Sequence, residues 1–109
     1  MIKVNIKKEQ SGRIQSFEMS GHANFDVHGK DLVCAGASAV SFGALNAIFK
    51  LTKGTPTIDQ GTDGGYLKAV FSEAEIASDD IQLILKTMIV SLQTIEQDYG
   101  QHIKIIFNE

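Results

Sequence analysis

Leu32 to Phe49 reads LVCAGASAVSFGALNAIF, 18 consecutive residues without a charge. A run of this kind is close to the roughly 20 apolar residues that cross a bilayer. Its interior argues for another use: Gly36, Ser38, Ser41, Gly43 and Asn46 interrupt it, and small residues let a helix lie close to a sheet as readily as to lipid. The flanking segments decide between the two, because they alternate like strands that need a helix to cover them. The run therefore predicts a buried core helix rather than a membrane span. Asp31 stands directly before it as N-cap, and Gly54 and Pro56 stop it after about Thr52. Being apolar almost all round, this helix is expected to be buried on more than one side.

Upstream, Ile2, Val4 and Ile6 alternate with Lys3, Asn5 and Lys7, the period-2 signature of a half-buried strand. Lys8 to Gly12 is a polar break, and Arg13 to Ser20 reads as the returning strand of a hairpin. Its alternation fails after Ile14, with Phe17 and Met19 on one face, so a bulge or a shifted register is expected here. Gly21 to Lys30 (GHANFDVHGK) has no period and reads as a loop.

Downstream, Thr57 to Gln60 and Tyr66 to Ser72 flank a GTDGG turn, the pattern of a second hairpin. Ser78 caps a second helix whose first turn carries Asp79 and Asp80. Ile81, Ile84, Leu85, Met88, Ile89, Leu92 and Ile95 form its apolar face, and Gly100 ends it. Ile103, Ile105 and Phe107 mark a last strand. The order ββαββαβ, with hairpins dominant, predicts an α+β fold: one domain over residues 1–109, a mostly antiparallel sheet and two helices packed on it.

Composition narrows the function classes. The chain has 109 residues, 43% hydrophobic and 21% charged, with a net charge of −3; a globular domain is expected, and direct binding of nucleic acid is not. The start, MIKVNIKKEQ, has no apolar core of a secretory signal. One cysteine, Cys34, has no partner for an internal disulfide and suits a reducing cytoplasm. No phosphate-binding or dinucleotide glycine motif occurs, and no CxxC or HExxH spacing organises a metal, so neither cofactor nor metal is expected.

The chemistry-bearing segment is His22 to Ser38. His22 falls at a strand end and Cys34 in the first turn of the long helix, where unpaired N–H groups and the positive end of the dipole stabilise a thiolate. Those N–H groups can also hold an oxyanion. A histidine within reach of the sulfur would activate it and then protonate a leaving amine. Spacing permits this Cys–His dyad, with His28 as a competing base. It equally permits a small buried cysteine, a turn histidine, Asp31 as a plain cap and Ser38 as a packing residue.

A longer pattern narrows the choice. Gly21-His22-Ala23, followed by Gly29, Asp31, Val33, Cys34, Ala35, Gly36 and Ser38, resembles the ribosomal-processing cysteine protease family, Prp. The similarity runs through the Gly64-Gly65 turn to the second helix. The resemblance implies a small bacterial cytoplasmic endopeptidase, typically a homodimer. Its partner would be a ribosomal protein precursor of the large subunit, from which it removes a short N-terminal extension. It implies that His22 and Cys34 form the catalytic pair and that Asp31 and Ser38 support them, with Gly21, Phe25 and Gly29 in a substrate loop. An apolar groove lined by Phe25 and Val27 is expected beside Cys34, with Asp26 and Asp31 meeting basic residues downstream of the cut, and Ala23 to Lys30 acting as a lid. The rival reading is a non-enzymatic ribosome assembly factor in which Cys34 is merely buried.

Overall fold

A computed structural model describes residues 1–27, 30–62 and 64–109. Strands β1 (Ile2–Lys8), β2 (Ile14–Ser20), β3 (Thr57–Gln60), β4 (Tyr66–Val70) and β5 (Ile103–Asn108) form one sheet in the order β3-β4-β2-β1-β5. Neighbours are antiparallel except β1 and β5, which run parallel. Helices α1 (Leu32–Leu51) and α3 (Asp79–Tyr99) cover one face, and a short α2 (Glu73–Ala77) leads from β4 into α3. The α+β class, the mostly antiparallel sheet and the element order hold, with three helices in place of two.

The extra helix has a local cause. Ser72 accepts from the Glu75 N–H while the Glu75 carboxylate accepts from the Ser72 N–H, a reciprocal capping box. The Ser72-Glu73-Ala74-Glu75 spacing announces it in the sequence, although the hairpin pattern carries Ser72 to the end of a strand. The other Glu75 oxygen accepts from the Thr55 N–H at 2.6 Å, fixing the segment that enters β3.

The broken alternation of β2 is a bulge. Ser16 pairs with Lys7, but Ile14 pairs with Lys8, leaving Gln15 as an extra residue. That one insertion lets Ile14 share the buried face with Phe17 and Met19, despite the change of parity. Gln82 of α3, only 3% exposed, clamps the bulge: its Oε1 accepts from the Ile14 N–H at 2.7 Å and its Nε2 donates to the Ile14 carbonyl at 2.9 Å. Both polar groups that the bulge exposes are thereby satisfied.

α1 departs from expectation in how it is buried. Val33, Ala37, Ser41, Ala44, Leu45 and Ile48 form a single buried stripe, while Leu32, Phe42, Phe49 and Leu51 remain exposed. The sheet occupies one side of the helix and α3 one flank, so among the described residues nothing covers the remainder. Within that same set α1 is the one helix long and apolar enough to cross a membrane.

Candidate active site

Two glycines bring His22 to its place. Gly21 follows β2 with φ +89°, and a Cβ there would run into the Met1 carbonyl; only glycine turns the chain so close to β1. Its N–H donates to the Gly65 carbonyl at 3.0 Å, extending the β2–β4 ladder one step beyond the strands. The next residue, His22, then lies over Gly65. A Cβ on Gly65 would stand 2.9 Å from the His22 Nε2, so the missing side chain is the space the imidazole occupies.

Ala23 links histidine to cysteine. It is 1% exposed, and its N–H donates to the Cys34 Sγ at 3.3 Å. The residue joined to His22 therefore points a donor at the sulfur, and His22, Cys34 and Ser38 line one cavity of about 600 Å³, a size that accommodates part of a peptide. Asn24, at φ 56°, then reverses the chain; asparagine tolerates this left-handed conformation better than other side chains.

Asp31 closes the loop. One carboxylate oxygen accepts from the Val33 and Cys34 N–H groups, both at 3.0 Å. The other accepts from Phe25 at 2.8 Å and Asp26 at 3.2 Å. Burial works to raise this carboxyl, but the four N–H donors from Cys34, Asp26, Phe25 and Val33 outweigh it and hold the group below the ordinary aspartate value. Asp31 is at once the helix cap, as expected, and the anchor of the site loop.

That arrangement corrects two expectations. The Val33 and Cys34 N–H groups are occupied by Asp31, and the Ala35 N–H donates to the Asp31 carbonyl at 3.0 Å; the start of α1 does not present them to an oxyanion. Asp31, 7% exposed, lines the cavity together with exposed Asp26, and both of its carboxylate oxygens already accept from backbone N–H groups. Neither Phe25 nor Val27 is among the lining residues. The Phe25 ring turns outward instead and meets Tyr99 and His102 edge-on, each at 5.3 Å. Gly29 and His28 lie outside the described residues.

Apolar lining comes from residues that the sequence pattern does not single out. Phe42, two turns after Cys34 on α1, forms part of the wall, as do Met19 and Leu67 from the sheet. The i, i+4, i+8 spacing of Cys34, Ser38 and Phe42 is the available signal. Tyr66 also faces the cavity. Its hydroxyl donates to Glu18 at 2.6 Å, and this bond, with burial and the Glu18 and Asp59 charges, pushes its pKa up to about 12. It remains a neutral phenol at working pH.

A thiol in the first turn of a helix and a histidine thus line one peptide-sized cleft on a small α+β frame, an arrangement compatible with a thiol hydrolase. The family model of the cysteine protease Prp matches residues 1–104. The ribosomal processing cysteine protease Prp of Bacillus subtilis is 47% identical over 110 residues, covering 99% of this chain and 98% of its own. That of Staphylococcus aureus is 44% identical over 105 residues, with 96% and 97% covered. The crystal structure of the S. aureus protease with a covalently linked product peptide superposes with a TM-score of 0.95 at 42% identity, covering 99% of this chain and 100% of that one. This chain belongs to the Prp family and is a cysteine protease.

Proposed function

We propose that the protein removes a short N-terminal extension from the precursor of a large-subunit ribosomal protein in the bacterial cytoplasm, using Cys34 and His22. The observation that carries this reading is the Ala23 N–H directed at the Cys34 Sγ at 3.3 Å, within the cavity that His22 also lines. His22 takes the Cys34 thiol proton, leaving a thiolate and an imidazolium. The thiolate attacks the scissile carbonyl carbon. The collapsing intermediate expels the amine, which takes its proton from the His22 imidazolium. Neutral His22 then deprotonates water, the hydroxide attacks the thioester, and the carboxylate product leaves Cys34 as thiolate. Ser38, one turn beyond Cys34 on the cavity wall, donates its hydroxyl to the oxyanion, a role that the occupied first-turn N–H groups leave open.

The enzyme works as a homodimer. Support comes from the apolar outer side of α1 and α3, where Val40, Ala47, Leu83 and Ile84 line a groove of about 380 Å³. Leu83 is 66% exposed and Leu51 77% exposed in the single chain. A second copy related by a two-fold axis covers this surface with the same residues.

The deciding experiment incubates wild type and Cys34→Ala with the precursor protein carrying its N-terminal extension, and weighs the products. One cut near the N-terminus by wild type and none by Cys34→Ala is the expected result. An uncut precursor, or equal cleavage by both, overturns the reading.

A further inference from the structure

His102 lies far from Cys34 in sequence, and its own backbone is fixed. Its N–H donates to the Tyr99 carbonyl at 2.8 Å and its carbonyl accepts from the Ile2 N–H at 2.9 Å. It is therefore tied to the end of α3 and the start of β1. Its Nδ1 lies 2.9 Å from the Ala23 carbonyl. A carbonyl only accepts, so Nδ1 carries the proton in this contact. The ring is held in that orientation by Phe25, edge-on at 5.3 Å and 89°. Ala23 is thus gripped at both of its polar groups: the carbonyl by His102, the N–H by the Cys34 sulfur.

We propose that His102 is a positioning residue for the cysteine, which fixes Ala23 so that its N–H stays aimed at the Cys34 Sγ. The proposal rests on the reading of Cys34 as nucleophile. A hydrogen bond to sulfur strengthens as the sulfur becomes charged, so it favours the thiolate over the thiol. It does so only if the donor is held in place. Loops drift, and residues 21–27 after β2 belong to no strand or helix; the Gly21–Gly65 bond anchors their start, Asp31 holds Phe25 and Asp26, and His102 supplies the support nearest the sulfur.

Two substitutions separate donation from packing. His102→Phe keeps an aromatic ring against Phe25 but cannot donate, whereas His102→Asn places an amide N–H near the former Nδ1. Phe25→Leu removes the ring contact and leaves the donor. The probe is alkylation of Cys34 by iodoacetamide across pH 5–9, followed by intact mass, with Tm measured alongside. For His102→Phe the alkylation rate at pH 7 falls by roughly five- to tenfold, and the midpoint of the pH profile moves up, as expected when a thiolate loses part of its stabilisation. His102→Asn recovers most of the rate, and Phe25→Leu keeps the wild-type midpoint. On precursor cleavage, His102→Phe lowers kcat more than it raises KM. A His102→Phe protein with the wild-type profile overturns the proposal, as does a Phe25→Leu protein that reproduces the shift. If His102→Phe fails to fold, His102→Leu, which also lacks a donor, must show the same slower alkylation and upward shift, and a wild-type profile in it overturns the proposal. Wild-type Cys34 that reacts only on unfolding sinks the nucleophile reading as well; a reactive Cys34 indifferent to residue 102 sinks this proposal alone.

Discussion

Gly64 and Gly65 are adjacent, yet the structure asks different things of them. Gly64 sits at φ +84°, and a Cβ there would meet nothing within 4 Å, whereas Gly65 needs no unusual backbone but lies under the His22 ring. Their alanine substitutions are therefore expected to have opposite signatures. Gly64→Ala costs about 1–2 kcal/mol for a left-handed alanine and keeps its activity. Gly65→Ala keeps its Tm, but its methyl pushes the imidazole aside. Cleavage should then fall by roughly tenfold or more, since small displacements of an acid–base group are costly. Thermal melts and steady-state assays on both variants check the pair; a fully active Gly65→Ala would show that His22 tolerates the shift. Cys34→Ala and His22→Ala should both abolish cleavage while changing stability by no more than about 1 kcal/mol, because neither opens a large cavity. Circular dichroism melts alongside the product assay test that separation.

Between residue and fold stands the loop–helix junction that Asp31 organises. Because its carboxyl is held below the ordinary aspartate value of 3.8, its contribution to stability is complete above that pH. It is lost as pH falls through the lower folded-state value. The loop and the first turn of α1 should therefore loosen together in acid. Asp31→Asn keeps the shape but not the charge, and should show that loosening already at neutral pH. Hydrogen exchange gives the measurement: the Phe25, Asp26, Val33 and Cys34 amides, all bonded to Asp31, should exchange faster in Asp31→Asn than in wild type. Unchanged protection at Phe25 and Asp26 would mean that another group holds the loop. The same experiment bears on whether Ala23 to Lys30 acts as a lid, because residues bonded this firmly open only when the carboxylate lets go.

Taken as one body, the protein is finished on its sheet-facing side and unfinished on its helical side. The core from β1, β2, β4, α1, α3 and β5 forms a single cluster, but α1 and α3 leave an apolar surface outside it. Leu83→Glu places a charge on that surface at a position already 66% exposed, so folding should be unaffected while association is lost. Sedimentation of wild type at micromolar concentration should give a dimer, and Leu83→Glu a monomer. A wild-type monomer would mean that this face serves another purpose.

How far the sequence can be read follows from the range of the contacts that each feature records. Period-2 and period-3.6 patterns record neighbours within a few residues, and they locate β1, both long helices, both hairpins and the caps at Asp31 and Ser78 almost to the residue. The Ser72–Glu75 capping box is equally local, but the strand pattern running up to Ser72 masks it. The His22 to Ser38 pattern marks where the chemistry lies, because a loop between a strand end and a helix start must carry its glycines and its cap in order. Other features are decided by contacts across great separations: Gln82 on the Ile14 bulge, 68 residues apart, His102 on Ala23, 79 residues apart, and β5 beside β1. No local spacing encodes such pairs, since a buried amide or a carbonyl acquires its partner only when the sheet and helices close on one another. The same holds for the outer face of α1. An apolar helix announces that it will be covered, but only the packed fold shows which side the chain itself covers and which side it leaves bare.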